Sequence, residues 1–171
     1  SSSITISCPF GPITVYGTNA ITAGNAPGLN AGASAILIMT EEKAEKCGLE
    51  ILAYIRDFSC ACAEYENIPT VPALVTNKLL ERNHMKPENL DLLEINEAFA
   101  AMPLVSTKII ANGDEKVQAH LREICNVNGG AVAIGHPMGA TGLRLIMTLM
   151  YELRRAKQFY KSLWNTSTNN S

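Results

Sequence analysis

The stretch "NVNGGAVAIGHPMGATGLRLIMTLMYELRR", residues 126 to 155, joins an apolar run, a glycine-rich loop and a helix-forming segment. The run at 126–134, "NVNGGAVAI", is strand-like. In residues 141–155 the apolar side chains recur at helical spacing, and two arginines stand at the end where the helix dipole is negative. We expect Thr141 to cap this helix. A strand followed by a helix is typical of α/β folds.

The same alternation continues towards the start of the chain. Apolar runs at 35–39, 51–59 and 91–96 predict three further strands. Between them, the sequence predicts helices over 40–48, 70–85 and 97–110. Thr40 is the expected cap of the first helix, and Pro103 is expected to kink the third or to delay its start. The sequence therefore predicts an α/β domain.

The composition excludes several classes of function. The chain has 171 residues, 47% of them hydrophobic and 18% charged, with a formal net charge of -2. These values are ordinary for a globular protein. Without a basic cluster, we expect no nucleic-acid partner and no binding to a membrane surface. The apolar run at 35–39 is far shorter than the roughly 20 residues that cross a bilayer. A small-molecule partner is favoured.

The cysteines and histidines argue against disulfide and metal sites. Five cysteines at irregular spacing do not form a disulfide framework, which favours a reducing, cytoplasmic location. Because the chain starts without methionine, an organellar targeting segment stays an alternative. Cys60 and Cys62 lack the spacing of zinc or redox motifs, and the three histidines lack paired ligand spacing. We expect no metal site.

Two polar residues follow strand-like runs and are candidates for chemistry. Asn96 ends the run at 91–96, and His136 lies between two glycine-rich turns. In α/β folds the loops after strands meet ligands, so the two side chains are expected to converge on one pocket. An imidazole can donate to a developing oxyanion, and an amide can orient a water that donates a second hydrogen bond. The alternatives are a histidine that caps a turn and an asparagine that bonds its own backbone.

Three segments carry a resemblance to a known family. "NEAFA" (96–100) and "NVNGGAVAIGHPMGATG" (126–142) resemble the two C-terminal signatures of the thiolases, and "TAGNAPGLNAGASAILIMTEEKA" (22–44) resembles the start of their C-terminal half. The segments occur in family order, and the resemblance covers residues 18–155. It divides the chain into a divergent segment 1–17, a thiolase-like domain 18–155 and a divergent, disordered tail 156–171.

The resemblance implies a fold and an activity. The fold would be a mixed, five-stranded-type sheet covered by helices, and the activity acyl transfer between coenzyme A and an acyl-CoA. His136 would activate the nucleophile and bind the thioester oxygen, and Asn96 would hold a water of the oxyanion hole. Ala98 and Phe99 would line the acyl and pantetheine channel, with Gly135 and Pro137 beside the CoA ester. Coenzyme A would be a substrate, with no permanently bound cofactor, and the protein a homo-oligomer or the partner of an N-terminal half.

The chain also departs from the family pattern. Cys8 lacks the surroundings of the family's nucleophilic cysteine, and no cysteine follows Cys125. We therefore expect a fragment that is inactive alone; the alternatives are a non-catalytic CoA-ester-binding or assembly protein and an erroneous gene model. Cys125 is expected to be a buried apolar residue. Glu94 and Glu97 are expected to be structural, with Glu97 bracing its loop.

Overall fold

The computed structural model describes residues 3–6, 13–16 and 21–155. Two short strands, β1 (Ser3–Ile6) and β2 (Ile13–Tyr16), pair antiparallel, with Ser3 opposite Tyr16. The helices are α1 (Glu41–Lys46), α2 (Val71–Arg82), α3 (Ala101–Ile110), α4 (Glu115–Glu123), α5 (Ala131–Ile134) and α6 (Met138–Arg155). Short 3-10 helices cover Tyr65–Thr70 and Pro87–Asn89. The proposed tail 156–171 and most of segment 1–17 lie outside the described residues.

Local signals set the ends of the first three helices as the sequence predicts. The Thr40 side chain accepts a hydrogen bond from the backbone N–H of Lys43, which confirms it as the cap of α1. α2 lies within the predicted range. α3 begins at Ala101, so that Pro103 occupies its first turn, where its missing N–H costs no helical hydrogen bond. The delayed start is therefore confirmed.

The main core lies between α2, α3, α4 and the segment 90–95. Its centre is apolar side chains at most 1% exposed: Ala73, Leu79, Leu90, Val105 and Leu121. α4 was not predicted from the sequence; Asp114 caps it, accepting from the N–H groups of Lys116 and Val117. This core holds the segment that leads into Asn96.

α6 packs against the other side of the same segment. Leu149 and Leu153 of α6 form a second apolar cluster with Leu92. The helix starts three residues before the predicted Thr141, so Thr141 lies inside it and does not cap it. The prediction of that cap was wrong, because the helix already begins at Met138 and the Thr141 N–H donates to the Pro137 carbonyl. None of the helices in the described part of the chain has the length and apolar character of a membrane span.

The predicted strands do not form in residues 21–155. The runs at 35–39 and 51–59 have no regular secondary structure, and the run at 91–96 contributes a single parallel bridge between Leu93 and Cys125. A strand needs a neighbour to accept its main-chain hydrogen bonds. In the described part of the chain these runs have none, and Leu37 and Phe58 are 75% and 79% exposed.

The predicted strand at 126–134 was wrong. Residues 131–134 form the helical turn α5, which begins after Gly130 and ends at Gly135. A short apolar run has no periodicity that separates strand from helix. Here the conformationally free glycines 130 and 135 flank a single helical turn. The turn brings His136 next to the Asn96 segment.

Candidate functional site

Asn96 and His136 come together across the two loops. The Asn96 Nδ2 lies 3.4 Å from the His136 Nε2, although 40 residues separate them in sequence. The Asn96 Oδ1 is buried and has no hydrogen-bond partner among the described residues. Both side chains are half-buried. A polar pair with one acceptor left unpaired is suited to holding a donor from outside the chain.

Asn126 fixes the backbone that carries Asn96. Its side chain accepts from the Ile95 N–H and donates to the Ile95 carbonyl, both at 2.9 Å, so the amide replaces a strand neighbour. Its own N–H donates to the Leu93 carbonyl at 2.9 Å. The residue has a φ of +51°, a conformation that asparagine tolerates better than most residues. Asn126 was not identified as functional from the sequence, because nothing local marks its contact with Ile95, 31 positions away.

Glu97 joins the two signature loops. Its carboxylate accepts from the backbone N–H of Val132 at 3.0 Å and from the Asn126 Nδ2 at 3.3 Å. The carboxylate lies against the Cα of Gly130, where any side chain would overlap it. The prediction that Glu97 braces its loop is confirmed by these contacts.

Besides Asn96, two residues hold His136 in place. Its backbone N–H donates to the Asn30 Oδ1 at 3.1 Å, and its Nδ1 lies 2.8 Å from the Thr141 Oγ1. Gly135 has a φ of +98°, and a Cβ there would lie 2.8 Å from the Asn30 side chain, so both its backbone and its surroundings require glycine. Asn30 was not singled out in the sequence, because nothing local marks a contact between residues 106 positions apart.

The segment 22–34 packs beside both loops. The Asn25 carbonyl accepts from the Ala100 N–H at 2.8 Å, and the Ser34 hydroxyl donates to the Ala140 carbonyl at 2.9 Å. Asn25 also closes a tight turn, since its N–H donates to the Thr22 carbonyl at 3.1 Å. All three resembling segments therefore meet around Asn96 and His136.

The remaining candidate residues occupy different surroundings. Ala98 and Phe99 are half-buried and pack against the main core. Pro137 lines an open pocket of about 320 Å³ together with Gly32 and Arg144. A larger apolar groove of about 640 Å³ lies between residues 35–41, residues 49–55 and α6, and neither Asn96 nor His136 lines it. The polar pair and the 640 Å³ groove are therefore separate features.

Burial changes the titration of two groups next to the site. Burial raises the pKa of Glu94 to about 7, aided by the charges of Glu97 and Glu152 and opposed by Arg144, whose Nη1 is 3.2 Å from its carboxylate. Burial and the charges of Glu94 and Glu97 raise the pKa of the Cys125 thiol to about 12. Cys125 is therefore a protonated, poorly nucleophilic residue packed against the core, as the sequence predicts.

The other described cysteines do not complete the site. Cys47, Cys60 and Cys62 are free and exposed, and the described hydrogen-bond partners of the His136 side chain are Asn96 and Thr141. Among the described residues, no cluster of three His, Cys, Asp or Glu side chains could hold a metal ion.

Comparisons with known proteins agree on one family. Residues 49–163 match the family described as thiolase, C-terminal domain. The acetyl-CoA acetyltransferase of Chromobacterium violaceum is 44% identical over 135 residues, which are 79% of this chain and 32% of that protein. The crystal structure of the Bacillus anthracis acetyl-CoA acetyltransferase superposes with a TM-score of 0.73 at 35% identity, covering 91% of this chain and 43% of that one. A thiolase from Ascaris suum in complex with coenzyme A gives 0.65 at 34% identity, covering 80% of this chain and 34% of that one.

These likenesses define both the fold of the domain and its family. The fold is thiolase-like. The chain belongs to the thiolase family, and the match falls in the C-terminal part of the family's proteins. It spans about a third of the length of the curated relatives it matches.

Proposed function

We propose that this chain forms part of an acyltransferase of the thiolase type, which moves an acyl group between coenzyme A and an acyl-CoA, including acetoacetyl-CoA or another 3-ketoacyl-CoA. The observation that carries the proposal is the 3.4 Å approach of Asn96 and His136 on the two signature loops. Membership of the thiolase family supports it. Relatives of similar sequence bear the name acetyl-CoA acetyltransferase.

Asn96 and His136 divide the work on a thioester. The reaction places negative charge on the thioester oxygen, and fixed hydrogen-bond donors lower the energy of that state. His136 contacts the oxygen and activates a thiol. The Asn96 Oδ1, buried and unpaired among the described residues, accepts a hydrogen bond from a water, whose second hydrogen bond reaches the oxygen.

The surrounding residues bind the rest of the substrate. Ala98 and Phe99 line the acyl and pantetheine channel, and Gly135 and Pro137 contact the CoA ester. The open pocket beside Pro137 supports this placement. Coenzyme A is a substrate here, which the complex of the related Ascaris suum thiolase with coenzyme A supports. No permanently bound cofactor is part of the proposal.

The proposal extends to the rest of the protein. The runs at 35–39 and 51–59 join a mixed, five-stranded-type sheet whose other strands come from outside the described residues. This pairing would bury apolar side chains that are otherwise exposed to water. The nucleophilic thiol comes from outside the described residues, and the active protein is a homo-oligomer or an assembly with an N-terminal half. It acts in the cytoplasm.

The test is a thiolysis assay. An antibody against residues 70–90 captures the protein from its source, and the longest form that it recovers, the longest native form, is assayed. We expect acetoacetyl-CoA and coenzyme A to yield acetyl-CoA, and the rate to fall at least about 100-fold in a recombinant copy of that form carrying His136→Ala. A wild-type form that binds and cleaves no 3-ketoacyl-CoA would contradict the proposal.

One observation favours a second function. Of the described cysteines, Cys125 is a protonated thiol and the other three are exposed, so the described chain brings no thiolate to His136. A non-catalytic protein that binds CoA esters or assembles with a catalytic subunit fits that arrangement. A native mass near the 18.4 kDa of this chain, with saturable CoA binding and no turnover, would select it.

A further inference from the structure

Three threonines of the described helices share one local arrangement. Each lies four residues after a proline and donates its hydroxyl proton to that proline's carbonyl, at distances of 2.8, 2.7 and 3.0 Å; the pairs are Thr76 with Pro72, Thr107 with Pro103, and Thr141 with Pro137. All three are buried, with 7%, 0% and 3% of their surface exposed. Three equivalent sites in one chain allow the chemistry of one to be compared with the other two.

The arrangement leaves each hydroxyl with acceptor capacity. A carbonyl has no proton to give, so the threonine must be the donor in that bond, and the lone pairs of its oxygen stay available. Of the three threonines, Thr141 alone has a histidine hydrogen-bonded to that oxygen, the His136 Nδ1 at 2.8 Å. A hydroxyl whose proton is already committed can bind Nδ1 only by accepting its hydrogen.

We propose that Thr141 is a positioning residue that accepts the Nδ1–H of His136 and so keeps Nε2 as the unprotonated nitrogen facing Asn96. The other side of the ring agrees with this tautomer. The Asn96 Nδ2, 3.4 Å from Nε2, has hydrogens to donate and needs an acceptor there. The chain of bonds therefore runs in one direction, from Asn96 to His136, from His136 to Thr141 and from Thr141 to the Pro137 carbonyl.

This tautomer gives His136 a defined chemical task, which rests on the proposed function. An unprotonated Nε2 can take the proton of a thiol S–H, leaving a thiolate and an imidazolium whose Nδ1–H stays bound to Thr141. With the opposite tautomer, Nε2 already carries a proton and cannot take another. Thr141 would thus act on the reaction through His136, without touching the substrate.

Nitrogen-15 NMR of the ¹⁵N-histidine-labelled chain tests the tautomer without any assay of activity. The spectra are recorded at about pH 9, well above the ordinary imidazole pKa of about 6.5. Two of the three histidines serve as internal references. The His120 Nε2 lies 3.0 Å from the Leu90 carbonyl, which can only accept, so His120 must carry its proton on Nε2. His84 is exposed and reports the mixture found in water.

We expect His136 to show a protonated Nδ1 and an unprotonated Nε2, the reverse of His120. Thr141→Val should shift the His136 signals towards the His84 mixture, and Thr141→Ser should restore them. Thr76→Val and Thr107→Val are matched controls that remove the same type of carbonyl bond and should leave His136 unchanged. The unchanged pattern of His120 reports that each variant is folded. A wild-type His136 protonated on Nε2, or a tautomer that survives Thr141→Val, would overturn the proposal.

A second measurement separates this inference from the proposed function. In the native form used for thiolysis, Thr141→Val should lower kcat about 10-fold or more with little change in KM, and Thr141→Ser should recover most of it. The NMR result stands even if that form shows no thiolysis, in which case the proposed function alone fails. A kcat unaffected by Thr141→Val in an active enzyme would overturn the positioning role.

Discussion

Gly130 should be required for the space above its Cα and not for its backbone conformation. Its φ of -101° and ψ of -168° are accessible to alanine. The Glu97 carboxylate occupies the position of the missing Cβ, so Gly130→Ala must displace it. Displacement breaks the hydrogen bonds from the Val132 N–H at 3.0 Å and from the Asn126 Nδ2 at 3.3 Å.

The cost follows from those two bonds. Hydrogen bonds to a charged group contribute about 1.5 kcal/mol each at the lower end of their range, which suits half-buried donors, so their loss costs about 3 kcal/mol. Alanine restricts the unfolded chain more than glycine does, which stabilises the folded state by about 0.5–1 kcal/mol. We expect Gly130→Ala to lower the free energy of unfolding by about 2 kcal/mol, measured by urea denaturation with an unchanged m-value.

Two variants test whether the Glu97 carboxylate is the obstacle. In a Glu97→Ala background the obstacle is absent, and Gly130→Ala should then be neutral or stabilising by about 0.5–1 kcal/mol. Gly142→Ala, on the exposed side of α6 with nothing near its Cβ, should stabilise the protein by about 1 kcal/mol. An equal loss from Gly130→Ala in both backgrounds would refute the steric account.

Three further predictions concern residues around the site. Because the pKa of Glu94 is raised to about 7 from 4.5, the folded state holds a proton that the unfolded state releases, so the stability contributed by this group is lost as pH rises from 4.5 to 7. Glu94→Gln should flatten that decline in urea melts; an identical slope in both proteins would count against the assignment. Asn126→Ala should lower the free energy of unfolding by about 1 kcal/mol more than Asn126→Gly does. Both variants lose the side-chain hydrogen bonds, but alanine must also adopt a φ of +51°. Equal costs would show that the backbone conformation is not strained. In timed alkylation at pH 8 followed by mass spectrometry, Cys125 should react after the exposed cysteines 47, 60 and 62. Early labelling of Cys125 would contradict its burial.

The sequence predicts this molecule best where the signal is local. The cap at Thr40 and the proline in the first turn of α3 lie within a few residues of the ends they set. The pairing of Asn96 with His136 was predicted from loop positions and from the resemblance, and the structure brings the two side chains together. The family was identified from the same segments, and the comparisons confirm it.

The prediction failed where the outcome depends on a distant neighbour. Apolar runs at 35–39 and 51–59 have strand composition, but the described residues supply no partner strand for them. Asn30 and Asn126 act through contacts 106 and 31 positions away, and neither has a local pattern that marks it. Thr141 looked like a helix cap because it precedes an apolar stripe, whereas its hydroxyl is used by His136.

In the proposed reaction Asn96 and His136 act as one unit on a thioester. The direct measurement is a double-mutant cycle on kcat/KM for thiolysis, with Asn96→Ala, His136→Ala and the double variant in the longest native form of the protein. We expect strong non-additivity: kcat/KM of the double variant should lie within about 10-fold of the value for the slower single variant. Losses that multiply in the double variant would show instead that the two side chains act independently.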